Sequence, residues 1–318
     1  MSTCSAKPKV TRLRPRQRVT PVQRNLREAR EWTAFLTLGA AAVSSILITL
    51  AIVWVLVYES EFFFWSKDVT VFGFLTGTEW APLFDTSKHG ILPLVSATLM
   101  TTLIALSLAL PLGTIVALYL SEFAPFMLRE SIKPTLELLS AVPTVVYGYF
   151  ALTFVSPILQ YFIPGLPQQN MLSAGLVMGI MIIPYVSSLS EDAMRSVPML
   201  LREGSYALGA NKFITAIRVV FPSALSGIGA AYILGISRAI GETMVVAIAA
   251  GMQPRLTFNP TDQAQTITSY IVATSQGETP YGTVGYQSIF AAGLALFVMT
   301  FAFNLLGFWL RRRYHQAY

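Results

Sequence analysis

The chain has 318 residues, of which 54% are hydrophobic and only 12% charged, and its formal net charge is +6. A soluble domain is roughly one-quarter charged, so this composition excludes an ordinary soluble enzyme or binding module and points to a polytopic membrane protein. The basic excess does not signal a nucleic-acid partner, because the cations flank apolar runs.

A basic tail fills residues 1–33 and holds the single cysteine, Cys4, which rules out an intramolecular disulfide. The apolar run 34–57 follows. It is longer than the roughly 7–15 residues of a secretory signal core, and it ends in Tyr58-Glu59-Ser60-Glu61, which is not a small-residue cleavage site. It reads as an uncleaved first transmembrane helix, 34–58. Five further runs reach the roughly 20 residues a spanning helix needs: 91–120, 136–162, 172–190, 223–251 and 288–310. The expected architecture is therefore all-α with six transmembrane helices. The segment 59–90 lies between the first two spans and carries Phe62, Phe63, Phe64, Trp65, Phe72, Phe74, Trp80 and Phe84. Aromatic side chains favour the headgroup zone, so an interfacial surface is expected there. The core then runs over 91–310, and a short basic tail over 311–318.

Lysine and arginine fix the direction. Nine precede the first span, two lie in 121–135 (Arg129, Lys133), four in 191–222 (Arg195, Arg202, Lys212, Arg218) and three in the last tail (Arg311, Arg312, Arg313). The alternate connections hold only Lys67, Lys88 and Arg255. Both termini are accordingly expected in the cytoplasm.

Three polar features interrupt this apolar frame. Within the third run, Ser140, Thr144 and Tyr147 follow one another at spacings of four and three, which places their hydroxyls on one helix face. The loop 191–222 is long for a connector and of mixed charge. Its residues 199–207 suit a short amphipathic helix, Leu208-Gly209-Ala210 a C-cap turn, and a second helix would run on to Pro222. Such a loop is a rigid knob available to a cytoplasmic partner; the plainer reading is a solvated loop packed on the bundle. Deep in the fifth run stand Arg238 and Glu242, four apart and expected to touch on one helix face. An ionisable group at bilayer depth costs about 2.5–3.5 kcal/mol on insertion scales, so it marks a solute path by default. Glu242 would then neutralise Arg238 between solutes. The alternative is an ion pair that only fixes helix packing, beside the small residues Gly227, Ala231 and Gly235. Asn304 in the last run suits an interhelical hydrogen bond. Nothing at ligand spacing suggests a metal, and no Gly-x-x-x-x-Gly-Lys-Ser/Thr phosphate loop occurs.

Glu203, Gly209, Val219 and Pro222 match in spacing the EAA loop of ABC-type importer permeases, with Gly204 and Ser205 where the family has two alanines. In that family the loop is the coupling helix seated in a groove of the ATPase, which marks Glu203, Gly204, Ser205, Leu208, Gly209, Ala210 and Pro222 as the ATPase-coupling set. Four further stretches, 74–80, 137–148, 238–244 and 277–282, resemble the PstC family of phosphate permeases. The resemblance implies a type I ABC importer permease fold. It also implies a multi-pass chain in a bacterial inner membrane that moves inorganic phosphate inward; the residues read above for that path are Arg238 and Glu242, with Ser140, Thr144 and Tyr147 as weaker hydroxyl candidates. It implies no catalytic residue and no cofactor in this chain, ATP and Mg being bound by partner ATPase subunits (PstB-like). The other implied partners are a second, PstA-like permease and a periplasmic, PstS-like phosphate-binding protein. Guanidinium chemistry alone leaves sulfate, molybdate and phosphonate open as substrates. A secondary anion transporter is a further alternative, against which the 191–222 loop argues.

Overall fold

The structure is a computed structural model that describes residues 21–65, 69–83, 88–277 and 279–313. The chain divides into two units, Met1–Val55 and Leu56–Tyr318. Among the described residues every element is helical, apart from one antiparallel bridge between Trp80 and His89.

The helices follow in order: α1 (Pro21–Trp65), α2 (Val71–Thr76), α3 (Leu92–Leu118), α4 (Phe126–Ala141), α5 (Thr144–Phe150), α6 (Ser156–Phe162), α7 (Met171–Arg195), α8 (Met199–Ala207), α9 (Lys212–Thr215), α10 (Phe221–Ser223), α11 (Leu225–Ile240), α12 (Met244–Ala249), α13 (Ile267–Gln276) and α14 (Val284–Arg313). Three five-residue π turns join neighbours without a break. Tyr119–Phe123 prolongs α3, Ala151–Val155 links α5 to α6, and Ala216–Val220 links α9 to α10.

Five helical stretches are long and apolar enough to cross a membrane: Arg30–Trp65, Leu92–Phe123, Thr144–Phe162, Met171–Arg195 and Val284–Trp309. A sixth arises if the pair Lys212–Ser223 and Leu225–Ile240, bent by 68°, is taken as one span. The expectation of six spans therefore needs two corrections. The third run is cut at Val142-Pro143: Leu136 to Ala141 close α4, and the spanning helix starts at Thr144. A residue before proline is driven out of the α region, and Val142 is extended (φ −62°, ψ 131°). The fifth run is cut at Gly241, which caps α11. At about 1.5 Å per residue, 16 residues of α11 make roughly 24 Å, short of the hydrocarbon core.

In the first unit the α1 side chains from Trp32 to Val55 are mostly exposed and apolar, as suits a lipid-facing helix. The second unit is built on α3 against α7, with Ala105, Ala109, Val177, Met178, Met181, Ile182 and Val186 in its core. In lipid no hydrophobic force draws helices together, so close packing must do it. Gly179 supplies that closeness: a Cβ there would lie 2.8 Å from the Ala105 carbonyl oxygen. α7 begins on a buried cap, the Asn170 side chain accepting from Ser173 N–H at 2.7 Å.

The aromatic segment behaves in two ways. Trp65 and Phe72 are exposed, as an interfacial surface requires. Phe63, Phe74 and Trp80 instead turn inward onto Tyr270 of α13, Ile91 and Leu94. Phe84 lies outside the described residues.

Candidate substrate pathway and coupling surface

Arg238 occupies the last turn of α11. Glu242 lies beyond the Gly241 cap, so the two do not share a helix face, and among the described residues no ion pair joins them. The fault in the sequence reading is the assumption of helix continuity. Gly-Glu-Thr ahead of a fresh apolar stretch is a stop signal followed by a start signal, and the chain uses it so. Glu242 is only 8% exposed. Its Oε1 accepts from Val245 N–H at 3.4 Å, at the start of α12, and its carbonyl accepts from Thr268 Oγ1 at 2.7 Å. Glu242 thereby ties α12 to α13. Arg238 is half-buried, with its guanidinium over the Tyr185 ring of α7, 5.7 Å from the centroid. Its Nε is buried without a hydrogen-bond partner among the described residues.

Asn304 makes the interhelical hydrogen bond expected of it: the Ser237 hydroxyl donates to Asn304 Oδ1 at 2.9 Å between α11 and α14.

The hydroxyl face proposed for Ser140, Thr144 and Tyr147 is not one face, because the Val142-Pro143 break separates Ser140 from the other two. Ser140 is exposed on α4 and donates to Glu137 O. Thr144 is half-buried at the start of α5. Tyr147 is buried, and its hydroxyl donates to Leu139 O at 2.7 Å, holding α5 across the break to α4. The next residue, Gly148, lets α5 approach α12: a Cβ there would lie 3.1 Å from the Met244 carbonyl oxygen.

The 191–222 loop forms the helix–turn–helix read from the sequence. α8 ends in a Schellman turn: Gly209 N–H donates to Tyr206 O at 2.9 Å and Ala210 N–H to Ser205 O at 3.1 Å, with Gly209 at φ +84°. Asn211 then caps α9 by accepting from Ile214 N–H at 2.8 Å. The second helix passes through Pro222 and stops at Ser223. Within the coupling set, Glu203, Gly204, Leu208, Gly209 and Pro222 are exposed and Ala210 half-buried. Leu208 at the tip is 91% exposed. Ser205 faces inward, its hydroxyl 2.9 Å from that of Thr215. The loop thus has an outer face available to a partner and an inner face locked to the bundle.

Two charged ties on this side were not read from the sequence. Arg202, buried on α8, donates to Glu122 Oε1 and to Met194 O, each at 2.9 Å, and also to Val197 O. Lys212 lies over the Phe123 ring at 5.6 Å. These contacts bind the loop to the π turn after α3. The second tie centres on Glu191 of α7, which is fully buried. It meets Arg129 Nε at 2.8 Å and Lys133 Nζ at 3.1 Å, and Lys133 also reaches Asp192 at 2.8 Å. Burial alone would lower the Lys133 pKa, but the hydrogen bonds and charges of Asp192 and Glu191 outweigh it and raise the pKa above 10.5. The available signal was Arg129 and Lys133 at helical spacing, opposite an acidic pair closing an apolar run.

Taken together, a bundle of membrane-spanning helices, a half-buried arginine within it and a structured loop at one end define a multi-pass membrane transport subunit. Residues 109–317 match the family of binding-protein-dependent transport system inner membrane components, and the chain belongs to that family. Similar proteins include the probable ABC transporter permease YqgH of Bacillus subtilis, 37% identical, with 76% of this chain and 78% of that one covered. The phosphate transport system permease protein PstC of Xylella fastidiosa is 33% identical over 91% of this chain and 93% of its own length. Among solved structures, a bacterial ABC transporter involved in importing the acidic polysaccharide alginate matches with a TM-score of 0.63 at 16% identity, over 91% of this chain and all of that one. The fold is that of a type I ABC importer permease.

Proposed function

We propose that the chain is a permease subunit of an ATP-driven importer that carries inorganic phosphate inward across a bacterial inner membrane. The alignment with phosphate permeases along nearly the whole chain carries this reading. The half-buried Arg238, which among the described residues pairs with no carboxylate, supports it chemically. Phosphate brings one to two negative charges, and a guanidinium answers a tetrahedral oxyanion with charge and several N–H donors. Thr144 and Glu242 remain candidates for the same path. Tyr147, with its hydroxyl already engaged, shapes the α4–α5 break that the path would cross. Ser140 stands on α4 before that break.

The exposed outer face of α8 and the Gly209 turn would seat on one of two ATPase subunits that bind ATP and Mg, this chain holding no cofactor and doing no catalysis. A second, related permease would complete the pore, and an external binding protein would deliver the anion. The deciding experiment is uptake of labelled phosphate by the reconstituted complex, with and without ATP and binding protein, against sulfate as competitor. Uptake that needs both and resists sulfate is the expected result. Uptake by this chain alone would make it a secondary transporter, and suppression by sulfate would reassign the substrate.

A further inference from the structure

We infer that Tyr185 is a positioning residue for anion passage, holding Arg238 by the face of its ring so that the guanidinium keeps its charge and its in-plane donors for the solute. This rests on the reading of Arg238 as the phosphate contact.

An arginine inside a membrane bundle needs a partner that makes its charge tolerable. A carboxylate partner would neutralise it and occupy its N–H donors, leaving an anion to compete for the site. Glu242, the carboxylate nearest in sequence, is instead committed to the start of α12. The partner the fold supplies is aromatic: the guanidinium carbon stands 5.7 Å from the Tyr185 ring centroid, inside the range for a cation–π contact. Such a contact acts through the ring quadrupole and takes up no N–H donor, and among the described residues the buried Nε has no hydrogen-bond partner. Tyr185 is itself fixed. It follows Pro184 in the middle of α7, flanked by the buried Ile182 and Val186, and Val186 packs beside Gly113 of α3 and Gly235 of α11. The ring therefore rides on a helix packed closely against α3 and α11, while Arg238 stands at the end of α11, next to the Gly241 break. A rigid aromatic plate facing a charge at a helix end fixes where that charge sits without cancelling it. The Tyr185 hydroxyl is no part of this device.

The test uses the whole complex in vesicles and reads phosphate uptake and ATP hydrolysis side by side. Tyr185→Phe keeps the ring and is expected to transport normally. Tyr185→Leu is expected to lower phosphate moved per ATP by about tenfold, equivalent to about 1.4 kcal/mol, with the complex assembled and the ATPase active. A merely structural role would lower assembly and ATPase activity together. Should the leucine variant not assemble, Tyr185→Met keeps more of the volume and serves instead. Normal coupling in the leucine variant overturns the inference, and so does an equal loss in the phenylalanine variant. Arg238→Gln is run in parallel. If it transports normally, the reading of Arg238 itself has failed; if it is inactive while Tyr185→Leu is normal, only the role of Tyr185 has.

Discussion

At the residue scale the sharpest constraint is Gly209, whose φ of +84° closes the Schellman turn between α8 and α9. A Cβ at this position would meet nothing within 4 Å, so the penalty for a larger residue is one of backbone alone. Gly209→Val should cost roughly 1–2 kcal/mol locally and misalign the exposed Leu208 tip. The expected outcome is ATP hydrolysis that continues while uptake falls, and Gly209→Asn, which tolerates the left-handed region better, should be milder. Arg202 makes a different kind of prediction. It and Glu122 are both buried, and removing one partner leaves an uncompensated charge, a loss of about 3–5 kcal/mol. Arg202→Met should therefore lower the unfolding temperature of the purified complex. The double variant Arg202→Met with Glu122→Leu should recover most of it, because the desolvation penalty goes with the charges. A double variant as unstable as the single one would mean that the contacts of Arg202 to the Met194 and Val197 carbonyls matter more than the ion pair.

At the scale of elements, α4 is unusual: none of its 16 residues is buried. Its attachment is electrostatic, through Arg129 and Lys133 onto the fully buried Glu191 at the end of α7. It also stands between the α8–α9 loop and α5, since the π turn before it receives Arg202 from α8, and Tyr147 of α5 bonds back to its last turn. Glu191→Ala should release α4, seen as faster amide exchange over 126–141 with α3 and α7 still protected. Unchanged exchange would mean that apolar contacts suffice. The attachment should be indifferent to pH near neutrality. The folded-state pKa of Lys133 lies above its ordinary 10.5, so its contribution is fully present below that value and is lost only as pH rises through the higher, folded pKa. The protection of 126–141, taken as the exchange rate relative to the unfolded chain at the same pH, should thus change little near neutrality and fall only in strong alkali. Element scale is also where sequence reading reached its limit. The apolar runs, the helix–turn–helix of the loop and the Gly209 cap were legible, because hydropathy and glycine turns are local signals. Pro143 signals an interruption of its run, but not that it parts Ser140 from Thr144, and the break at Gly241 was not legible: a hydrophobic run stays hydrophobic across a kink, and so Arg238 was joined to Glu242. The Arg129–Glu191 and Glu122–Arg202 pairs span 62 and 80 residues, and no periodicity reports a partner at that distance.

At the scale of the whole molecule, the open question is direction, and the chain provides its own probe. Cys4 is the only cysteine and stands in the basic tail, outside the described residues, which the charge bias assigns to the cytoplasm. A membrane-impermeant maleimide should leave it unlabelled in intact spheroplasts and label it in inverted vesicles. The opposite reporter comes from the loop between α12 and α13, where Thr257, Asn259 and Asp262 hold one another in a short hydrogen-bonded turn. Arg255, exposed in the same loop, can be replaced by cysteine in a Cys4→Ser background. That thiol should label from outside alone. Direction carries a mechanical consequence. The chain enters α11 from the loop bearing Glu203 and Gly209 through a 68° bend, so a pull on that loop would reach Arg238 and the Gly241 break only across that bend. If both thiols label from the same side, an odd number of crossings separates the expected topology from the real one. The bent pair Lys212–Ser223 and Leu225–Ile240 would then be a re-entrant hairpin, and α8 could not transmit force along α11 to the arginine.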